Sequence, residues 1–338
     1  MKVWMLQQNG ILEEQNRPEV VTQKMQVKVK LSKVLITEND VELLSGKFPS
    51  AIYPIIPGHT AVGVLSETCA CGIDLTKGAR VYLHPLFPCG VCENCKKDSV
   101  LDCTDMHIAG VNAHGFLRDF AVVNLNDVSL LPSSVSDEQA LFVEWIALAE
   151  SVLDTLDCSK GDHVVIYGAS ILGNLLAQLL IYRKIVPILV DTDVAFLDYA
   201  KKCGVYYTFK LDNTLRENIM KVTGGRLADA SVYAGLSDVS PSLPFVYAAP
   251  CTNVVYAGLR FKDVEVNLKN ALLKQCAVYC VTQAKKHISS AINILANKAI
   301  TLPDISYRYG TIDDLPNLTR LLQIGKYSFL SPYIIKLL

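Results

Sequence analysis

Four cysteines within fifteen residues constrain this chain more than any other feature of its sequence. They are Cys89, Cys92, Cys95 and Cys103, spaced C-x2-C-x2-C-x7-C, and Gly90 helps the backbone turn between the first two. Four thiolates at this spacing suit a closed tetrahedral zinc site that leaves no position for a substrate. The spacing differs from both common ferredoxin patterns, which argues against an iron–sulfur cluster. The sequence therefore predicts a structural zinc lobe at about 86–105, with four unrelated buried thiols as the alternative.

Charge and composition exclude several classes of function. The chain has 338 residues, 32 basic and 33 acidic side chains, and a formal net charge of -1. This balance argues against a nucleic-acid-binding protein and against attraction to an anionic membrane surface. Polar residues interrupt the most apolar stretch, 164–190, so no membrane-spanning segment is expected. The N-terminal segment does not resemble a secretory signal and the cysteines number eleven, so we expect a cytoplasmic protein.

The order of the predicted elements indicates two domains of different class. Residues 26–35 alternate polar and apolar side chains, as a half-buried strand does, and the whole first third is β-rich. After Gly161 strands alternate with helices, which predicts right-handed βαβ units and a parallel sheet. Beyond that series we expect helices at 288–298 and 313–324 and a last strand at 334–338. The fold class is therefore α/β, with a β-rich domain before a doubly wound Rossmann domain.

A glycine turn marks a candidate dinucleotide site. In the motif G-x-G-x-x-G the first glycine permits a tight turn and the third lets the helix pack closely on the strand. Here Ser170 replaces the middle glycine, where the backbone normally approaches the pyrophosphate. An acid ends the next strand, 23 residues after Gly168, where it accepts hydrogen bonds from the adenosine ribose and repels a 2′-phosphate. The sequence therefore favours NAD over NADP, held by Gly168, Ser170, Ile171, Leu172, Gly173 and Asp191, and a doubly wound domain without a ligand is the alternative.

In this order, the cysteine cluster and the glycine turn resemble the zinc-containing medium-chain alcohol and polyol dehydrogenases, of the sorbitol and threonine dehydrogenase type. Three further segments match: Pro57-Gly58-His59, Gly78-Ala79-Arg80-Val81 and Val143-Glu144. The resemblance implies a GroES-like catalytic domain at 1–147, a Rossmann domain at 148–283 and a return to the catalytic domain at 284–338. It also implies a homodimer or homotetramer that pairs through the Rossmann domain, where 252–259 is the expected edge strand.

The chain departs from this family at the catalytic centre. By resemblance, a catalytic zinc would be held by the residues at positions 37, 59 and 144. Threonine is a poor zinc ligand compared with a thiolate, so occupancy of this second site stays open. Asn39 stands where the family has a proton-relaying hydroxyl and Glu42 where it has the relay histidine, whereas Asp40 stands where a carboxylate orients the ligand histidine. The candidate catalytic residues are Thr37, Asn39, Asp40, Glu42, His59 and Glu144, of which His59 and Glu144 are also the candidate catalytic-zinc ligands.

Two functions of different class follow from this pattern. The first is an oxidoreductase that transfers hydride between NAD and a secondary alcohol, polyol or sugar derivative, with zinc or a group such as His59 or Glu42 acting on the oxygen. The second is a catalytically degenerate relative that binds a nucleotide or has a structural role. A zinc-free NADPH reductase is disfavoured by the cysteine cluster and by Asp191. His114 and the run 285–287 are expected to be solvated loop and helix-start residues.

Overall fold

The computed structural model describes most of the chain. The described residues are 1–8, 10–18, 21–46, 48, 51–67, 75–97, 99, 102–234, 239–258, 264–282, 284–302, 305–315, 317 and 330–337, without the side chains of residues 38, 39 and 285. Most of the helix expected at 313–324 falls outside these residues. The chain divides into two compact units, residues 1–142 with 304–338, and residues 143–303. The returning segment thus begins at residue 304 instead of 284, because the helix predicted at 288–298 packs on the first helix of the second unit.

The first unit is built on an open β-sheet. Its long central strand alternates as predicted, with Val27, Val29 and Leu31 buried on one face. Strands run in the order β16-β17-β3-β4-β5-β9, and β8 also pairs with β3; β1-β2 and β6-β7 form two separate two-stranded sheets. The elements, numbered along the chain, are β1 (Lys2–Leu6), β2 (Leu12–Asn16), β3 (Gln26–Ile36), α1 (Glu38–Leu44), β4 (Thr60–Leu65), β5 (Arg80–Leu83), β6 (Leu86–Phe87), α2 (Glu93–Lys96), β7 (His107–Ile108), β8 (Phe120–Asn124), β9 (Val128–Leu130), α3 (Asp137–Ala140), β16 (Arg308–Gly310) and β17 (Tyr333–Lys336).

The second unit is a doubly wound domain, as predicted. Its six strands are all parallel, in the order β12-β11-β10-β13-β14-β15. The four inner strands, β11, β10, β13 and β14, bury consecutive side chains and so are covered on both faces, as expected for a parallel sheet with helices on both sides. The elements are α4 (Val143–Leu156), β10 (His163–Tyr167), α5 (Ile171–Tyr182), β11 (Val186–Asp191), α6 (Val194–Lys202), β12 (Tyr207–Lys210), α7 (Leu215–Val222), β13 (Ala228–Ala234), β14 (Ala248–Ala257), α8 (Lys269–Lys274), β15 (Ala277–Val281) and α9 (Ile288–Ala296).

The predicted edge strand at 252–259 is wrong. These residues belong largely to β14, which is paired on both sides, with β13 and with β15. Its residues from Val254 to Ala257 are accordingly at most 5% exposed. The edge is β15 instead, where Val278 and Tyr279 are 46% and 42% exposed. An apolar run of five residues is compatible with both an internal strand and an edge strand. The sequence alone therefore did not distinguish between these two positions in the sheet.

The returning segment is joined to the first unit by hydrogen bonds and charges. β17 pairs antiparallel with β3, and β16 pairs parallel with β17. The Tyr309 hydroxyl donates to Glu138 at 3.0 Å, and the same carboxylate lies 3.0 Å from the Lys33 ammonium. Asp137 is held between Lys33 and Arg80, at 3.0 and 2.9 Å. The first turn of α3 thereby links β3, β5 and the returning strands. Among the described residues, no helix is long and apolar enough to span a bilayer.

Candidate functional site

The four lobe cysteines converge in the structure. The sulfur atoms of Cys89, Cys92, Cys95 and Cys103 all lie within 4.8 Å of one another. Within the described residues, they form the only group of three or more side chains placed to bind a metal ion. Backbone N–H groups point at the sulfurs: Cys92 Sγ caps α2 by accepting from Cys95 N–H at 3.4 Å, and Cys103 Sγ accepts from Cys89 N–H at 3.2 Å. Gly90 makes the turn with a φ of +73°, as its position in the sequence suggested.

The electrostatics of this lobe differ between its cysteines. Burial and the neighbouring thiols raise the pKa of Cys95 to about 12. N–H donation from Cys95 and from Thr104 lowers the pKa of Cys92 to about 6. The thiolate is the form of cysteine that binds metals, and backbone N–H···S bonds stabilise it. Four sulfur donors in a compact tetrahedral arrangement are the donor set that zinc prefers in closed structural sites. The lobe therefore fits the predicted structural zinc, held by all four cysteines.

His59 is positioned by backbone packing. It follows Gly58, which has a φ of +96°, and it directly precedes β4. A Cβ atom on Gly115 would lie 2.3 Å from the Gly58 carbonyl oxygen, and one on Gly110 would lie 3.2 Å from the Gly58 nitrogen, so glycine is needed where the two segments meet. The imidazole Nδ1 lies 2.9 Å from the carbonyl oxygen of Ala109. A carbonyl only accepts, so Nδ1 carries the proton and the lone pair belongs to Nε2.

Thr37 and Asp40 form the cap of a helix. The Thr37 hydroxyl and backbone N–H both donate to Asp40 Oδ2, at 2.7 and 2.8 Å, and Thr37 Oγ1 accepts from Asp40 N–H at 3.4 Å. The two residues therefore make a capping box at the start of α1 and are 8% and 3% exposed. Burial raises the pKa of the Asp40 carboxyl, opposed by the hydrogen bonds from Thr37 and by the backbone N–H of His59. The charge of the His59 imidazole also lowers the pKa of Asp40, so the carboxylate interacts with both the backbone N–H and the ring of His59, and the Ala109 carbonyl holds the ring Nδ1.

The hydroxyl at position 37 does not fit the role of a catalytic-zinc ligand. The Thr37 hydroxyl donates its proton to Asp40, and its oxygen accepts the capping hydrogen bond from the Asp40 N–H. Glu144 lies in the first turn of α4, which belongs to the second unit. Glu42 is exposed on α1, and the side chain of Asn39 lies outside the described part of the chain. Within that part, no group of three potential metal ligands includes His59.

The glycine turn of the second unit has the geometry of a dinucleotide cradle. It joins β10 to α5, and Gly168 turns there with a φ of +109°. A Cβ atom on Gly173 would lie 1.8 Å from the Gly168 carbonyl oxygen, so only glycine permits this close packing of helix on turn. Ser170 is the N-cap of α5 and is 5% exposed, and Ile171 and Leu172 are buried behind it. The turn thus presents the N-terminus of a twelve-residue helix, the usual position for a pyrophosphate.

Asp191 has a second role that its position in the sequence did not reveal. Its carboxylate is at the end of β11 as predicted, but it is only 2% exposed. One oxygen accepts from the backbone N–H of Ala169 at 2.6 Å, and the other accepts from the N–H of Asp193 at 2.9 Å. Asp191 therefore holds the glycine turn against the end of the neighbouring strand. The partner is a backbone group, which any residue at position 169 would supply.

Comparisons with known proteins agree with this architecture. Residues 23–133 match the alcohol dehydrogenase GroES-like domain. An uncharacterized zinc-type alcohol dehydrogenase-like protein of Haemophilus influenzae is 24% identical over 86% of both chains, and a sorbitol dehydrogenase of Halalkalibacterium halodurans is 26% identical over 64% of both. The crystal structure of an alcohol dehydrogenase from Escherichia coli, complexed with NADH, superposes with a TM-score of 0.85 and 22% identity over 99% of each chain.

Taken together, the fold and the cysteine lobe define a two-unit protein with a GroES-like domain, a Rossmann domain and a closed metal site. The matched domain and the curated relatives show what the chain is similar to. It resembles the zinc-containing medium-chain alcohol and polyol dehydrogenases, with threonine at position 37, where the resemblance places a catalytic-zinc ligand.

Proposed function

We propose that this protein is an NAD-dependent dehydrogenase that transfers hydride between the cofactor and a secondary alcohol of a polyol or sugar derivative. The observation that carries the proposal is the glycine cradle: Gly168 and Gly173 pack without room for a Cβ atom, and Asp191 fixes the turn. Such close packing of helix on turn is typical of the dinucleotide-binding turn, in which the pyrophosphate lies at the helix N-terminus. The dehydrogenase names of the curated relatives support the same reaction type.

His59 is the proposed proton acceptor. When NAD is bound, it supplies the hydride acceptor for alcohol oxidation. The Ala109 carbonyl fixes the Nδ1–H tautomer, which makes Nε2 the basic ring nitrogen. A general base of this kind contributes roughly 10²–10⁴-fold to the rate. Zinc bound to the four lobe cysteines would have a structural role and hold the loop together. A site with four protein ligands leaves no coordination position for substrate.

Preference for NAD over NADP is proposed to rest on Asp191. Its charge, at the end of β11 and 2% exposed, would repel a 2′-phosphate at short range. Titration of the purified protein with NADH and with NADPH, followed by nicotinamide fluorescence, tests this directly. NADH should bind at least tenfold more tightly, and equal affinities would contradict the proposal.

A turnover assay tests the activity. Wild-type protein with NAD and a panel of sorbitol, xylitol, galactitol and 2-propanol should form NADH with at least one alcohol. His59→Gln should lose roughly 10²–10⁴-fold in kcat while NADH affinity stays unchanged. Glu67→Gln is the control, since it removes an exposed carboxylate of the same unit outside the candidate site and should keep wild-type activity.

The capping role of Thr37 favours a second candidate function, a nucleotide-binding relative without turnover. The residue at this position stabilises a helix instead of offering a metal ligand. The same assay separates the two functions. NADH binding without oxidation of any alcohol would support the second candidate and overturn the first.

We propose that the protein works as a homo-oligomer that pairs through β15, and that its compartment is the cytoplasm. β15 is an edge strand with exposed apolar side chains, which is a template for pairing with a second copy. All nine described cysteines are free thiols, in keeping with a reducing compartment. Tyr279→Lys should shift the mass measured by light scattering towards the monomer. Tyr206→Lys, next to the opposite edge strand β12 and 84% exposed, is the control that should leave the mass unchanged.

A further inference from the structure

Three tyrosines form a row across the carboxyl end of the parallel sheet. Tyr167, Tyr233 and Tyr256 lie in register on the neighbouring strands β10, β13 and β14. Residues in register on adjacent parallel strands share one face of the sheet, so the three side chains lie next to one another. The ring centroids of Tyr233 and Tyr256 are 5.6 Å apart, and all three residues are at most 5% exposed. The row is therefore a buried feature of the second unit, and the strand register fixes it.

Two of these tyrosines hold the β13-β14 connection, which is residues 239–247 in its described part. The Tyr233 hydroxyl donates to the carbonyl oxygen of Val239 at 3.1 Å, and the Tyr256 hydroxyl donates to that of Pro241 at 2.5 Å. Parallel strands are usually connected by an α-helix, whose carbonyl groups are bonded within the helix. The described part of this connection contains only one three-residue turn of 3-10 helix. Hydroxyl groups from the sheet thus supply hydrogen bonds that a helix would make for itself.

The β13-β14 connection begins at the point where the order of the strands reverses. β11 and β12 lie on one side of β10, and β13, β14 and β15 lie on the other, so the topological switch point falls between β10 and β13. Ligands of doubly wound sheets bind in the crevice outside the carboxyl ends of the strands at such a point. The glycine turn follows β10 and the connection follows β13, so both border this crevice.

The glycine turn and the connection lead to opposite faces of the sheet. A Cβ atom on Gly173 would lie 3.4 Å from the side chain of Ile166, so Ile166 faces α5. Tyr167 is the next residue of the strand and faces the other way, where it belongs to one buried cluster with Val239 and Phe245. α5 therefore covers one face beside the crevice, and the β13-β14 connection covers the other.

The three tyrosines share their packing and differ in what the hydroxyl does. The hydroxyl of Tyr167 is buried and has no hydrogen-bond partner among the described residues, whereas those of Tyr233 and Tyr256 bind the connection. A buried hydroxyl is unfavourable unless it is hydrogen-bonded. Phenylalanine at any of the three positions keeps the ring and removes only the hydroxyl. Tyr167 is therefore a matched control for the other two.

We propose that Tyr233 and Tyr256 are positioning residues for the cofactor: by holding the β13-β14 connection, they keep one wall of the dinucleotide crevice ordered before NAD binds. A site that is ordered in advance binds more tightly, because less conformational entropy is lost on binding. The inference rests on the proposed function, since the wall has this role only in a chain that binds a dinucleotide. The two hydroxyls are therefore expected to act on cofactor affinity.

Phenylalanine variants of the full chain test this role. NADH titration followed by nicotinamide fluorescence measures the affinity, and hydrogen exchange without cofactor measures the protection of the amides in 239–247. Tyr233→Phe and Tyr256→Phe should each weaken NADH binding several-fold, and the double variant at least tenfold. The physical reason is that a connection ordered for only a fraction of the time lowers the apparent affinity by that fraction. The same variants should exchange faster in 239–247, whereas Tyr167→Phe should leave both measurements unchanged.

The outcomes separate this inference from the proposed function. A wild type that does not bind NADH would overturn both. Equal NADH affinity of the wild type and the double variant would overturn the positioning role alone, even if the free energy of unfolding falls, because the hydroxyls would then only stabilise the core. Unchanged exchange in 239–247 would also overturn it, and so would a loss of affinity in Tyr167→Phe as large as in the other two variants.

Discussion

At the scale of single residues, backbone atoms decide what the conspicuous side chains do. His59, Asp191 and the lobe cysteines were all predicted as site residues, yet each is held by a main-chain group: the Ala109 carbonyl, the Ala169 N–H and the N–H groups facing the sulfurs. Side-chain identity is visible in a sequence, whereas a backbone donor is present at nearly every position and carries no signal. This is why the candidate residues were predictable and the partner of His59 was not.

Metal content is the first residue-scale prediction. Wild-type protein should contain one zinc per chain by elemental analysis, because among the described residues only the cysteine lobe offers a complete donor set. Cys95→Ser should lose that zinc and destabilise the lobe, since a structural zinc contributes directly to folding. Glu144→Ala should keep one zinc. Two zinc ions in the wild type and one in Glu144→Ala would instead show a second metal site at Glu144.

A second residue-scale prediction concerns pH. Burial raises the pKa of Asp40 above its ordinary value, so the folded state binds this proton more tightly than the unfolded state does. The free energy of unfolding should therefore fall as the pH rises from about 4 through the folded-state pKa. Subtracting the urea-unfolding profile of Asp40→Asn from that of the wild type isolates this contribution. A difference that is flat, or that increases with pH, would contradict the assignment.

At the scale of elements, the start of α1 explains why the catalytic-zinc position has changed. The segment from Thr37 to Asp40 has the spacing of a capping box, which is a signal that the sequence contained. The resemblance to the dehydrogenases directed attention to a missing thiolate at position 37 instead. The capping-box spacing and the family resemblance thus indicate different roles for Thr37, and in the structure Thr37 has the capping role.

Replacement of Thr37 tests this role. Thr37→Val keeps the shape but removes the cap and the hydrogen bond to Asp40, which should cost about 1–2 kcal/mol in the free energy of unfolding. Thr37→Ser keeps the hydroxyl and should lie within about 0.5 kcal/mol of the wild type. Thermal unfolding followed by circular dichroism measures both. Equal stability of the valine and serine variants would mean that the cap contributes little.

At the scale of the whole molecule, the two-unit α/β organisation was predictable because hydrophobic periodicity and glycine spacing both indicate it. The parallel order around β10 and the strand β3 follow from such local patterns. Pairing between distant strands does not, which is why β15 instead of 252–259 forms the edge, and why the return begins at residue 304. These features depend on contacts between residues far apart in the sequence, which no short segment can indicate.

The ion pairs around α3 lead to a prediction about the stability of the first unit. Asp137 is paired with both Lys33 and Arg80 and is only 20% exposed. Asp137→Asn should leave two partly buried cations without this carboxylate and lower the free energy of unfolding of the first unit by about 1–3 kcal/mol. Asp198→Asn breaks the exposed pair with Lys201 and should cost no more than about 0.5 kcal/mol. Denaturant unfolding of both variants, read against the wild type, checks the comparison.

The return of the chain to its first unit has a consequence for synthesis. β17 completes the sheet beside β3, although some three hundred residues separate them in the order of translation. The second unit, 143–303, is synthesised before the last strands, so all of its residues are available before the first unit is complete. Until β17 has been added, part of β3 presents an open edge of N–H and C=O groups. We expect nascent chains that lack residues 330–337 to be captured by chaperones through this edge, and chains that include these residues to escape them.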